Sequence, residues 1–232
     1  MNEIRHHLTD KILLGYAAGT LPEAFSLVVA THISMCDECR ARLGAFDAIG
    51  GSLIETSIET GIETGDDLVV AEMPAVDFAA TLKRIEAGNG AQEASQNAET
   101  RAPSSDSSLP ATLKNYIGGD LDAVKWRPVG MGVRQAILKT SRSASVRLLH
   151  IPAGTAVPDH GHHGTEMTIV LQGAFRDEHD RFGPGDVEIA TEDLEHTPVA
   201  EEGVDCICLA ATDAPLKFNG LLHRIAQPFL KI

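Results

Sequence analysis

Apolar positions are spaced in two ways along this chain. Up to about residue 87 they recur three and four apart, the helical spacing, while beyond residue 109 they come in short runs. Residues 9–20 (TDKILLGYAAGT) predict a short helix, with Thr9 or Asp10 as N-cap and Ile12, Leu13, Tyr16 and Ala17 on one face. Pro22 suits the first position of a second helix, PEAFSLVVATHIS, which carries His32 near its end. A third, longer helix is predicted from Cys36 to about Thr64. Its segment IETSIETGIETG stacks Ile54, Ile58 and Ile62 along one stripe, and Gly50-Gly51 and Gly61 mark places to bend. Residues 75–87 (AVDFAATLKRIEA) suggest a fourth helix.

Residues 88–109 contain small and polar side chains with almost nothing to bury, which predicts a flexible linker. After it come VRLLHI (146–151), TIVLQGAF (168–175), DVEIA (186–190) and CICLAA (206–211), punctuated by Pro152, Gly154, Gly173 and Gly183-Pro184-Gly185. Such runs predict an all-β barrel or sandwich. The expectation is an α+β multidomain chain: an all-α module over 1–87, a linker over 88–109 and an all-β domain over 110–232.

Chemistry enters with His32-x3-Cys36-x2-Cys39 and the upstream pair His6-His7. Zinc takes four tetrahedral N and S ligands, and two thiolates with two imidazoles close such a site. Spacing alone leaves open which of His6 and His7 completes it. A second set lies in the β region: Gly154-x5-His160-x-His162-x3-Glu166-x6-Gly173, then His196 after the Pro-Gly-Asp turn. Alternate strand residues share a face, so His160 and His162 can point inward together. Three imidazoles and a carboxylate suit several divalent transition metals. Cys206 and Cys208 read as small core residues, with backbone positions about 6.5–7 Å apart that make a bridge awkward.

Charge narrows the function. The 232 residues carry a formal net charge of -14, which argues against direct nucleic-acid binding. Between Arg42 and Lys83 stand eight carboxylates (Asp47, Glu55, Glu59, Glu63, Asp66, Asp67, Glu72, Asp77) and no basic residue. That stretch reads as a solvated face or a dock for a basic partner. The polar N-terminus and the lack of a long apolar run predict a cytoplasmic protein with no membrane partner and reduced cysteines.

The glycine and histidine spacing from Gly154 to Gly173 resembles the first motif of the cupin superfamily. Gly183-Pro184-Gly185 with His196 resembles a shortened second motif, although Thr197-Pro198-Val199-Ala200 lacks the asparagine some cupins carry there. Together, YAAGTLPEAFSLVVATHISMCDECRARLGAFDAIGGSL and VPDHGHHGTEMTIVLQGAFRDEHDRFGPGD resemble the ChrR family of anti-sigma factors. The resemblance implies a zinc-binding N-terminal domain that inhibits an extracytoplasmic-function sigma factor in a 1:1 complex. It also implies a cupin-like domain needed for release under photooxidative stress such as singlet oxygen, and no enzymatic activity. Carried across, the zinc ligands are His7, His32, Cys36 and Cys39, with His6 a solvated neighbour. The cupin-site ligands are His160, His162, Glu166 and His196, holding zinc or another divalent transition metal. A cupin dioxygenase or isomerase is the rival reading. The β segments show few basic residues that would announce its substrate, Arg176 and Arg181 being the ones singled out.

Overall fold

A computed structural model describes residues 3–60, 82–83 and 109–218. The chain opens with an extended segment and helix α1 (Asp10–Ala17), whose N-cap Thr9 accepts a hydrogen bond from the Ile12 amide. Helix α2 (Glu23–Met35) follows, with Pro22 as its N-cap residue. Cys36 has extended backbone angles and separates α2 from α3 (Asp37–Thr60). Gly50 and Gly51 do not interrupt α3, and a Cβ on either would meet open space. Ile49, Leu53 and Ile54 on α3 are exposed. Residues 61–64 of the predicted third helix lie outside the described residues. So does the predicted fourth helix, except for residues 82–83, which are helical. Of the predicted linker only Leu109 is described, and it is buried.

A short helix not foreseen from sequence, α4 (Ala111–Ile117), leads into the β region. Its strands are β1 (Arg127–Gly130), β2 (Val133–Leu138), β3 (Ser145–Ile151), β4 (His160–His162), β5 (Glu166–Gln172) and β6 (Phe175–Arg176). They continue as β7 (Arg181–Phe182), β8 (Val187–Ala190), β9 (Glu195–His196), β10 (Val199–Ala200), β11 (Cys206–Thr212) and β12 (Leu216–Phe218). The run TIVLQGAF is two strands, because Gly173 turns the chain at φ +69; a Cβ there would meet the Asp205 carbonyl oxygen at 2.6 Å.

These strands form a six-stranded antiparallel sheet, β1-β2-β3-β11-β5-β8, and two three-stranded sheets, β10-β6-β7 and β12-β4-β9. The large sheet is covered on both faces, which is why its strands read as unbroken apolar runs. Val146 and Leu148 of β3, Ile169 of β5 and Leu209 of β11 pack into one core with Leu13, Phe25, Val28 and Leu113 from the helices. The alternate residues Ile151, Val170, Cys206 and Cys208 pack inward with Phe175 and Phe182 of the small sheets. Helix α2 is buried on most of its circumference, between the large sheet and the other helices. Residues 3–51 and 109–218 accordingly form one compact unit. No helix among the described residues is long and apolar enough to cross a membrane.

Candidate metal centres

The end of α2, the start of α3 and the extended N-terminal segment meet at His7, His32, Cys36 and Cys39, whose ligand atoms all lie within 4.8 Å of one another. The local fold explains the meeting. Cys36 sits at the N-terminus of α3, where its sulfur accepts the Cys39 amide at 3.4 Å; a helix start favours thiolates. The Nδ1 of His7 faces Cys36 Sγ at 3.3 Å and Cys39 Sγ at 3.7 Å, while its Nε2 reaches Glu38 at 3.4 Å. His32 is fully buried. Its Nδ1 donates to the Gly185 carbonyl at 2.9 Å, which leaves Nε2 buried with no partner among the described residues. Burial lowers the His32 pKa to about 4, with the Gly185 carbonyl acting in the opposite direction. A neutral imidazole with a fixed tautomer and a bare buried Nε2 is the form a metal ion needs. Two sulfurs and two imidazoles so arranged fit zinc.

His6 points elsewhere. Its ring packs at a tilt against Phe182 with centroids 4.4 Å apart, and its Nε2 pairs with Asp180 at 3.0 Å. Its placement corrects the expectation of a solvated neighbour. The turn 183–186 supplies the rest of this junction. Asp186 Oδ1 accepts the amides of Arg5 and His6 at 2.6 and 2.8 Å, and the His6 carbonyl accepts the Val187 amide at 3.2 Å. Gly185 adopts φ +92, and a Cβ there would meet Ile4 Cδ1 at 2.5 Å. The segment carrying His7 is therefore pinned to the start of β8.

On the inner face of the sheets, His160 and His162 alternate along β4, and His196 pairs with His160 across β9. The three rings are mutually 4.7–5.4 Å apart between centroids. His160 donates from Nδ1 to the Pro158 carbonyl at 2.8 Å, so its Nε2 faces His196 Nε2 at 3.3 Å. Neither nitrogen of His162 has a partner among the described residues, and burial lowers its pKa to about 4. Buried bare nitrogens beside two further imidazoles fit a divalent transition metal.

Glu166 lines the same interior but lies outside the three-histidine group; its Oε1 accepts from Thr168 at 3.2 Å. Two carboxylates that the spacing did not reveal are closer to His196. Its Nδ1 donates to Asp177 and Glu188, each at 3.1 Å. Burial by itself would lower the His196 pKa; hydrogen bonds to Glu188 and then Asp177 outweigh it and raise the value to about 9. Asp177 also accepts the His179 and Asp180 amides, so despite burial its pKa falls to about 2.

Between the sheets lies a cavity of about 260 Å³, walled by apolar side chains and reached by His160, His196, Glu166, Glu188 and Arg147. Arg147 stands inside the run read as VRLLHI and is a basic residue of the interior that the sequence reading passed over; Arg181 instead pairs with Glu201 on the surface. Cys206 and Cys208 are buried core residues, as expected, with free thiols. Their sulfurs are 3.4 Å apart, where β11 shifts register against β5 between Ile207 and Cys208. The hydrogen bond with Cys206, which favours the protonated thiol of Cys208, and then burial raise the Cys208 pKa well above the usual thiol range.

Residues 114–214 match the family described as the ChrR cupin-like domain. The chain is 55% identical over 229 residues to the anti-sigma-E factor ChrR of Cereibacter sphaeroides, covering 99% of both chains. It also matches a chain of the crystal structure of Rhodobacter sphaeroides SigE in complex with the anti-sigma ChrR, at 54% identity and a TM-score of 0.69. That match covers 91% of this chain and 100% of the other. With identity sustained over both the helical and the β region, this chain belongs to the ChrR family of anti-sigma factors.

Proposed function

We propose that this protein is a zinc-dependent, cytoplasmic anti-sigma factor that holds one extracytoplasmic-function sigma factor in a 1:1 complex and releases it under photooxidative stress such as singlet oxygen. The observation that carries this reading is the His7, His32, Cys36 and Cys39 cluster, with the bare Nε2 of His32 at its centre, in a chain so similar to a ChrR crystallised with its sigma factor. Zinc held by these four residues supplies a structural cross-link, tying the N-terminal segment to the α2–α3 junction. Such sites contribute on the order of 10–16 kcal/mol of apparent binding free energy in small domains.

Helix α3 offers the partner a fitting surface. Ile49 is exposed beside the exposed carboxylate Asp47. Apolar contact together with negative charge suits a protein whose own surfaces are adapted to DNA phosphates. We assign the second metal, zinc or another divalent transition ion, to His160, His162 and His196 with Glu166 on the same cavity wall. The turn 183–186 gives the two centres a short physical link: Gly185 holds His32, and Glu188, three residues on, holds His196. A change at the interior cluster that moves β8 therefore alters the support of a zinc ligand directly.

The test is co-expression with an extracytoplasmic-function sigma factor encoded beside this chain, followed by size-exclusion chromatography and metal analysis. A 1:1 complex with about two metal ions per chain is expected, from the two donor sets. A protein that elutes free of the sigma factor while keeping its interior metal would overturn the proposal.

A further inference from the structure

One buried charge has no part in either metal centre. The Arg147 side chain belongs to the inner face of β3 and is only 6% exposed. Nη1 donates to Gln135 Oε1 at 3.2 Å and Nη2 to Ser145 Oγ at 3.3 Å. Both acceptors are neutral, and among the described residues no carboxylate forms an ion pair with this guanidinium. A guanidinium carries five donors in a planar fork, and a buried cation without a counter-charge is costly. Burial pulls the Arg147 pKa below its usual range, and the negative charge of Glu166 only partly opposes this.

The space beside Arg147 has a definite shape. Across the large sheet its row continues through Ala210 and Thr168 to Glu188. Those small residues leave the floor open over three strand spacings, about 14 Å of backbone. The walls are Val133, Leu149, Ile151, Val157 and Phe175. The cavity's roughly 260 Å³ equals the liquid volume of about nine waters at ~30 Å³ each. At its rim Met131 sits at φ 53 between Gly130 and Gly132, with its side chain 66% exposed. A flexible apolar side chain on a strained turn can shift to admit a guest.

We propose that this cavity is a binding site for an aliphatic carboxylate of medium chain length, its head group on Arg147 and its chain along Val133, Leu149 and Ile151. A carboxylate matches the guanidinium fork with two parallel hydrogen bonds. A dianionic phosphate is disfavoured because Glu166 and Glu188 share the space, and a neutral guest would leave the cation with only the partial compensation of Glu166. The site rests on the cavity and on Arg147, and it stands independently of sigma-factor binding.

Isothermal titration calorimetry of the metal-loaded full chain with sodium octanoate tests the proposal, with 1-octanol as the neutral control of equal length. Octanoate should bind with a negative heat-capacity change, the mark of apolar burial, and about tenfold or more tighter than 1-octanol. Arg147→Gln should weaken octanoate about tenfold or more and leave 1-octanol unchanged. If that variant does not fold, Ala210→Val, which fills the floor without touching the charge, should weaken both ligands. Absence of octanoate binding, equal affinity for the two ligands, octanoate affinity unchanged in folded Arg147→Gln, or unchanged affinities in Ala210→Val would each overturn it.

Discussion

His32 and His196 are both buried imidazoles in clusters that could hold a metal ion, yet the group behind each ring differs. Behind His32 is a backbone carbonyl, Gly185, which fixes Nδ1–H and leaves the ring neutral down to a pKa of about 4. Behind His196 are two carboxylates, Asp177 and Glu188, which keep the ring protonated up to about 9. The first ring offers its lone pair at neutral pH. The second must give up a proton before it can serve as a ligand, and that proton already balances the local charge. Either backing fixes Nδ1–H and turns Nε2 toward a metal ion, and the carboxylate pair also makes the ring a more basic ligand. The two clusters therefore differ in the proton that metal binding must release.

The largest way to break the comparison is Cys36→Ser. Metal analysis should show the N-terminal ion lost and the interior ion kept, and sigma-factor capture should fall by about a hundredfold or more. Capture that survives complete removal of zinc would separate inhibition from the cluster. A finer cut is Gly185→Ala, which places a methyl group against Ile4 in a backbone conformation that suits glycine. Supporting groups of this kind typically change metal affinity by about 10–100-fold. A zinc competition assay should register that loss at the N-terminal site alone; an unchanged affinity would show that the turn does not support His32.

The smallest expected effect sharpens the other side. In chelated protein, the folded His196 pKa of about 9 lies above the ordinary histidine value of 6.5. Its contribution to stability is therefore complete below about pH 6.5 and is lost as pH rises through 9. The size is on the order of 1–3 kcal/mol. Melting temperatures of the chelated chain from pH 6 to 9.5 should fall more steeply than those of Glu188→Gln, and parallel curves would remove the carboxylates from the account.

The sequence brought out the residues that cluster because they are local: three of four lie within eight residues in one case, and His160 and His162 share a strand in the other. It also carried the helical and β halves, since periodicity is a short-range property. Asp177 and Glu188 were not legible, because His196 meets them through a fold that brings separate hairpins together. Arg147 was hidden by its neighbours, since a sheet covered on both faces erases the alternation that would have set it apart. The 3.4 Å approach of the Cys206 and Cys208 sulfurs was not legible from strand spacing, because backbone spacing does not fix where two side chains converge. His6 looked free for a similar reason, its partners Asp180 and Asp186 lying far along the chain.

Gly185, whose carbonyl steadies His32, follows that histidine by 153 positions. A ribosome adding ~5–20 residues per second delivers it about 8–30 s later. During that interval the cysteines and His32 have already been made, while the turn that orients the imidazole has not. Each newly made molecule thus passes through a stage in which His7, His32, Cys36 and Cys39 are all present while the turn that steadies His32 is not.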